Sequence, residues 1–86
     1  MNKNYIFNKK KGVVLYIFKY KCAVCSKVDT KNHVHHIDKN HANNDAFNMA
    51  VLCKNCHIFF HKHCGIFELN LSDAETKALL VLNSYF

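Results

Sequence analysis

The chain has 86 residues, a net charge of +6 and a pI near 9.2, and half of its residues are hydrophobic. This length allows one domain, whose hydrophobic core would supply only a few kcal/mol, so a metal ion or a disulfide is expected to brace it. No stretch has the ~20 apolar residues of a membrane span, and no segment has the pattern of a secretory signal peptide. We therefore expect a cytoplasmic protein, in a reducing compartment, with no membrane partner.

The positive charge favours a polyanionic partner, of which nucleic acid is the commonest. Every basic residue is a lysine, and lysine is a mobile cation suited to phosphate contacts without base readout. Four metal-bound thiolates and one Zn2+ would lower the net charge to about +4, so the domain would remain basic. Considered alone, the charge is equally compatible with a merely soluble, basic surface.

The first half of the chain contains an arm, one ambiguous segment, a strand and a loop. Residues 1–12 are rich in lysine and asparagine and are expected to form a basic N-terminal arm ahead of a single domain over residues 13–86. Val13 to Phe18 is apolar, and its periodicity does not decide between a buried strand and a short helix. Residues 27–38 favour a strand, whereas residues 38–45 are polar and predict a loop.

The second half predicts one extended segment and two helices. Phe47 to Leu52 is short and apolar and is typical of a second strand. Cys53 to Cys64 predicts a helix. Ser72 and Glu75 match a capping box, and the leucines that follow give an apolar face to a C-terminal helix over about residues 73–84.

Four of the five cysteines form two Cys-x-x-Cys pairs: Cys22, Cys25, Cys53 and Cys56. Each pair supplies two thiolates from one turn, and tetrahedral zinc takes four ligands. The spacing therefore predicts a structural zinc site with knuckles at 22–25 and 53–56. Two alternatives stay open: iron in a similar geometry, and replacement of one ligand by Cys64, His61 or His63. Cys64 has no partner at knuckle spacing and is otherwise expected to be an idle thiol.

The segment between the two cysteine pairs is long and rich in histidine. It has 27 residues, whereas a simple zinc ribbon has about 15 to 20, and it contains His33, His35, His36 and His41. After the second pair, His57 and His61 are four residues apart, so they share one helix face and can reach one ion. Because a zinc ion would tie Cys56 to Cys25, it would bring this helix next to the histidine-bearing strand.

The strings H-V-H-H-I-D and F-N-M-A-V-L-C-K-N-C-H-I-F-F-H resemble the signature of HNH endonucleases. The matching region runs from Cys22 to about His61, nearly half of the chain. The resemblance implies a small α+β, zinc-stabilised ββα-metal (His-Me finger) domain with a C-terminal helix. It also implies an endonuclease that nicks or cuts DNA with low intrinsic sequence specificity, leaving a 5′-phosphate and a 3′-hydroxyl.

The resemblance further implies a role for each motif residue. His36 would be the general base, and Asn48 would either brace the loop, the role we favour, or approach the metal. His35 and His57 would hold a catalytic divalent ion, with Mg2+, Mn2+, Ni2+ or Zn2+ as candidates, and His61 would complete the site as a further ligand or a phosphate contact. A neutral histidine can accept a proton at neutral pH, and a divalent ion can stabilise a leaving oxygen. Because neighbours in a strand face opposite sides, His35 and His36 reach one phosphate only if the backbone bends or the site lies at the strand's end.

The expected partner is DNA, with RNA as an alternative, and a homodimer or a partner protein would add specificity. The candidate phosphate contacts are Lys9, Lys10, Lys11 and Lys39. A non-catalytic zinc-bound nucleic-acid-binding module is the alternative function, and it would not need His36. A protein-interaction zinc domain with incidental charge is a third. His33, His41 and His63 match no motif position, so surface or supporting roles are expected for them.

Overall fold

The computed structural model describes residues 3–63 and 69–85. Its elements are, in chain order, helix α1 (Lys3–Ile17), strand β1 (His33–His36), strand β2 (Met49–Leu52), helix α2 (Lys54–His63) and helix α3 (Asp73–Tyr85). A short 3-10 helix leads into β2. Within these ranges the chain forms three α-helices and one two-stranded antiparallel sheet, which confirms the α+β class. None of the α-helices among them has the length and apolar character that crossing a lipid bilayer requires.

One face of the β1–β2 hairpin packs against α1 and α3. The strands pair antiparallel, from His33 opposite Leu52 to His36 opposite Met49. Since side chains alternate between the two faces of a strand, every second residue contributes to the core on this side. The buried members of that core are Val14, Val34, Ala46, Met49, Val51, Leu79 and Leu82.

The opposite face of the hairpin packs against the cysteine-bearing turn and α2. There Leu52 is fully buried beside Cys22 and Cys53, and Phe60 of α2 packs on the same cluster. Because both faces of β2 are covered, all four of its side chains are buried. This explains why the β2 sequence is apolar without the alternation of a half-exposed strand.

Residues 3–12 belong to helix α1, which corrects the prediction of a basic arm for this part of residues 1–12. Val14 of α1 is 0% exposed and anchors the helix in the core. Lys10 is also buried, and its Nζ donates to the carbonyl of Asn44 at 2.7 Å and to Oδ1 of Asn83 at 3.1 Å. The local composition predicts a solvated arm. The partners of Lys10 lie far away in the sequence, so the neighbouring residues do not reveal them. The same helix settles the ambiguity at residues 13–18.

Strand β1 is shorter than the strand predicted over residues 27–38, because tight turns occupy the first part of that segment. Oδ1 of Asp29 accepts the amide of Lys31 at 2.8 Å, and the side-chain amide of Asn32 donates to the carbonyl of Lys27 at 2.8 Å. Such side chains offer backbone groups an alternative to strand pairing. Because Asp29 and Asn32 form these turns, the strand begins only at His33.

The two later helices lie where the sequence predicts helices. A reciprocal capping box begins α3: the amide of Ser72 donates to Oε1 of Glu75 at 2.9 Å, and the amide of Glu75 donates to Oγ of Ser72 at 3.2 Å. Helix α2 begins directly after Cys53 and is described as far as His63. Cys64 lies outside the described residues.

Asn83 of α3 links α1 to the segment before β2. Its Oδ1 accepts from Lys10 at 3.1 Å and from the amide of Ala46 at 2.8 Å, and its Nδ2 donates to Asp45 at 3.0 Å.

We expect Asn83→Ala to lower the free energy of unfolding by about 1–3 kcal/mol, because a buried lysine and a backbone amide both lose an acceptor. Urea denaturation of the metal-loaded protein measures this. The control Ser84→Ala should change it by less than about 0.5 kcal/mol, and equal losses in both variants would contradict the prediction.

Candidate metal and histidine site

The four paired cysteines meet where the hairpin joins α2. Their Sγ atoms all lie within 4.8 Å of one another, and those of Cys25 and Cys53 are 3.6 Å apart. Tetrahedral Zn–S bonds of about 2.3 Å hold sulfurs roughly 3.8 Å apart. The group can therefore bind a structural metal ion such as zinc, as the spacing predicts. Among the side chains that the structure describes, those of residues 5–60 and 69–85, it is the one group of three or more from His, Cys, Asp or Glu with ligand atoms this close.

The backbone of the first knuckle closes a turn around its sulfurs. The amide of Ser26 donates to the carbonyl of Cys22 at 3.0 Å, and the amide of Cys22 donates to the carbonyl of Lys27 at 2.8 Å. Ser26 has a φ of 67°, a left-handed conformation that is uncommon for a residue other than glycine. This turn directs the thiols of Cys22 and Cys25 towards the second pair.

The four thiols differ in their tendency to ionise. Burial raises the pKa of Cys22, but backbone amides, first that of Cys25 and then that of Cys53, outweigh burial and lower this pKa to about 6. The amide of Cys56 lowers the pKa of Cys53. Burial, followed by the neighbouring thiols, raises the pKa of Cys56 well above its ordinary value. Four sulfurs this close repel one another when charged, so full deprotonation requires the cation that a divalent metal would supply.

A group of three imidazoles lies between β1 and α2. The ring centroid of His57 is 4.4 Å from that of His33 and 5.0 Å from that of His35. Nε2 of His33 and Nδ1 of His57 are 2.6 Å apart and share a hydrogen bond. The structure thus brings together His35 and His57, two of the three candidate metal ligands. The side chain of the third, His61, lies outside the described residues, although its backbone belongs to α2.

His36 lies on the other face of β1. Its ring centroid is 4.9 Å from that of Phe7 in α1 and 5.2 Å from that of His41. Nε2 of His36 donates to Oδ1 of Asn44 at 3.1 Å, and the residue is only 6% exposed. The alternation of β1 therefore separates the candidate base from His35, and the structure does not bring His36 into the imidazole group.

Asn48 joins the end of the loop to its beginning. Its Oδ1 accepts the amide of Asp38 at 3.1 Å. Its Nδ2 donates to Oδ1 of Asp38 at 2.9 Å and to the carbonyl of Asn43 at 2.9 Å. Both the oxygen and the nitrogen of this side-chain amide thus bond within the loop. This geometry corresponds to loop bracing, one of the two roles that the resemblance implies for Asn48.

The four lysines predicted to contact phosphate differ in position. Lys9 and Lys39 are exposed, and Nζ of Lys11 lies 5.5 Å from the centroid of the Phe7 ring. Lys10 requires a correction: it is buried on the inner side of α1, and its ammonium is bonded within the protein. Its ammonium is therefore held inside the fold and is not placed to contact nucleic acid.

Sequence reasoning gave His33 only a surface or supporting role, and it did not single out Asn44. The signal for His33 is its position two residues before His35, since residues i and i+2 share one face of a strand. Asn44 meets His36 because of a bend in the loop, and no local pattern indicates that contact. The carbonyl of Asn44 also accepts the buried ammonium of Lys10, so α1 helps to place it.

No protein-family model, no curated protein and no solved structure matches this chain. The site is accordingly interpreted from its own geometry and chemistry.

We expect the protein to bind one Zn2+ through the four cysteines, and Cys53→Ser to abolish tight binding and unfold the region around α2. The physical reason is that the core beneath α2 is small, so metal-binding free energy becomes folding free energy. Zinc content and circular dichroism measure this, and chelation of the unsubstituted protein should cause the same loss of structure. Cys64→Ser is the matched control and should keep its zinc. Zinc loss from that control would instead support Cys64 as a ligand.

The loop after β1 should open in acid. Three hydrogen bonds lower the pKa of Asp38: they come from the side chain of Asn43, the backbone amide of Asn40 and the side chain of Asn48. Because the folded-state pKa is depressed, this stabilisation is present above the ordinary aspartate pKa and is lost as the pH falls through the lowered value. Amide exchange of the loop, followed by NMR against pH, measures the transition. Asp38→Asn should remove it, whereas Asp73→Asn in α3 should leave it unchanged; an unaltered transition in Asp38→Asn would refute the assignment.

Proposed function

We propose that this chain is a metal-dependent endonuclease of the HNH type that hydrolyses DNA phosphodiester bonds within a ββα-metal core. The observation that carries the proposal is the approach of His57 to His35, with ring centroids 5.0 Å apart. His57 directly follows Cys56, so the cysteine cluster and the imidazole group share the start of α2. A strand and a helix that direct imidazoles at each other form the arrangement expected of a ββα-metal nuclease.

His35 and His57 would hold the catalytic divalent ion, with His61 as a further ligand. Their ring nitrogens suit Zn2+ or Ni2+ better than Mg2+, which prefers oxygen ligands. When bound, the ion would polarise the scissile phosphate and stabilise charge on the leaving oxygen. The cysteine cluster would hold a separate, structural Zn2+.

His36 would accept the proton of the attacking water. Because its Nε2–H donates to Asn44, a neutral ring carries its lone pair on Nδ1, the form that a general base requires. Lys10 bonds to the carbonyl of Asn44 at 2.7 Å and would keep this orientation fixed. Since His35 and His36 are adjacent but face opposite sides of β1, the scissile phosphate would lie across the end of the strand.

A non-catalytic zinc-bound nucleic-acid-binding module is the second candidate, and the burial of His36 favours it. The residue is 6% exposed and Phe7 packs against its ring, as expected for a histidine with a packing role. The two candidates share the metal cluster and the basic charge. They differ in whether His36 affects chemistry as well as stability.

Zinc-loaded protein should nick or linearise supercoiled plasmid when Mg2+, Mn2+, Ni2+ or additional Zn2+ is supplied. We expect His36→Ala to slow this cleavage by about 10²- to 10⁴-fold, the usual contribution of a general base. His41→Ala removes a ring that packs on His36 but has no assigned role, so it should stay close to the unsubstituted rate. Zinc content and thermal unfolding of each variant verify folding.

Three results would count against this assignment. Failure of the folded, zinc-loaded protein to cleave with any of these metals would favour the binding module. Equal losses of cleavage in His36→Ala and His41→Ala would attribute the effect to packing. Full activity in His36→Ala would exclude it as the base.

A further inference from the structure

A cleft beside the imidazole group carries an excess of positive charge. Its volume is about 430 Å³, and its lining includes Lys27, Lys31, Lys54, Asp29, Asn55 and His33. His33 belongs both to this cleft and to the imidazole group, because its Nε2 bonds to Nδ1 of His57 at 2.6 Å. The cleft therefore adjoins His57, one of the candidate catalytic metal ligands, through His33.

The charges of the cleft suit a polyanion. Three exposed lysines face one carboxylate, that of Asp29. Oδ2 of Asp29 is 3.8 Å from Nζ of Lys27, and its Oδ1 accepts the amide of Lys31, so among these three lysines and one carboxylate two positive charges are in excess. Cys53 also lines the cleft, but it is only 5% exposed, and a bound Zn2+ would offset part of the charge of its thiolate. Helix α2 begins at Lys54, and the amino end of a helix adds partial positive charge. A phosphodiester backbone, with one negative charge per nucleotide, complements this arrangement.

The backbone beneath these lysines is held by the cysteine cluster. The carbonyl of Lys27 accepts the amide of Cys22 at 2.8 Å, and Lys54 directly follows Cys53. Asn32, which is 5% exposed, donates to the same carbonyl of Lys27 at 2.8 Å. Since the backbone is already ordered, a bound phosphate would immobilise the side chains alone, which limits the entropic cost of binding.

We propose that this lysine cleft, formed by Lys27, Lys31 and Lys54, binds the phosphate backbone of nucleic acid and directs it past His33 to the imidazole group. The inference rests on the proposed function and deepens it by assigning the substrate surface. The cleft takes the place of the phosphate-contacting surface predicted from sequence. Of the lysines in that surface, Lys10 is buried, and the others lie on α1 and in the loop after β1.

Two triple variants with the same change in charge test the proposal. Lys27→Gln, Lys31→Gln and Lys54→Gln are combined in the first; Lys9→Gln, Lys11→Gln and Lys39→Gln are combined in the matched control. Each full-length, zinc-loaded protein is titrated onto a short, fluorescently labelled DNA duplex over a range of KCl concentrations, with no further divalent metal. Plasmid cleavage is assayed in parallel.

For the cleft variant we expect the Kd at low salt to rise about tenfold or more, and the slope of log Kd against log salt to fall by about 2 to 3. The control should retain most of the affinity at low salt and most of the salt dependence. A variant with arginine at the three cleft positions should restore binding, because it preserves the charge. Lys31→Gln alone should lower the slope by about 1, and it provides a reading if the triple variant loses its zinc.

The opposite outcomes are distinguishable. If the control loses as much affinity as the cleft variant, or more, while plasmid cleavage persists in the unsubstituted protein, the cleft assignment is overturned and the nuclease survives. If the unsubstituted protein neither binds DNA in a salt-dependent way nor cleaves it, the cleft and the proposed function are both overturned. Loss of binding in the arginine variant would also overturn a role based on charge.

Discussion

The meeting of four cysteine sulfurs determines where the rest of the candidate site lies. The first knuckle ends shortly before β1, and the second joins β2 to α2, so a single ion would connect both strands to the helix that bears His57. Among the side chains that the structure describes, the core beneath α2 is small: Leu52 is its one fully buried non-cysteine member, and Phe60 packs on it. Contacts of this extent stabilise a helix weakly, so a metal ion bound by the four cysteines would supply much of the free energy that holds α2 on the hairpin.

The alternation of side chains along β1 gives the candidate site two differently supported halves. His33 and His35 face α2 and depend on the cysteine cluster for their neighbour His57. His36 faces α1, where Phe7 and Asn44 contact it. The half with His33, His35 and His57 would thus depend on metal coordination by the cysteines, whereas the half with His36 is held by hydrophobic packing of α1 and by hydrogen bonds of the loop. Damage to one half need not disturb the other.

The parts of this structure that depend on near neighbours in the chain could be predicted from the sequence. The Cys-x-x-Cys pairs and the capping box at Ser72 each need partners within three residues, and the polar loop needs only its own turn formers. The parts that depend on distant partners could not be predicted. The sequence around Lys10 is that of a surface lysine. Its ammonium is buried because Asn83, far along the chain, accepts a hydrogen bond from it. The opposite facing of His35 and His36 was foreseeable from strand geometry, but which helix would cover each face was not.

The closeness of the sulfurs also gives the domain a chemistry that has nothing to do with phosphate. Cys25 is exposed, and its sulfur lies 3.6 Å from that of Cys53, whereas a disulfide needs about 2.05 Å. A movement of roughly 1.5 Å would join the two, so an oxidant that acts before the region around α2 unfolds finds a pair of thiols nearly in place. The resulting bond would keep the first cysteine-bearing turn tied to the start of α2 while removing two of the four ligands. Oxidation would thus preserve the outline of the domain and prevent it from taking up its ion until a reductant intervened.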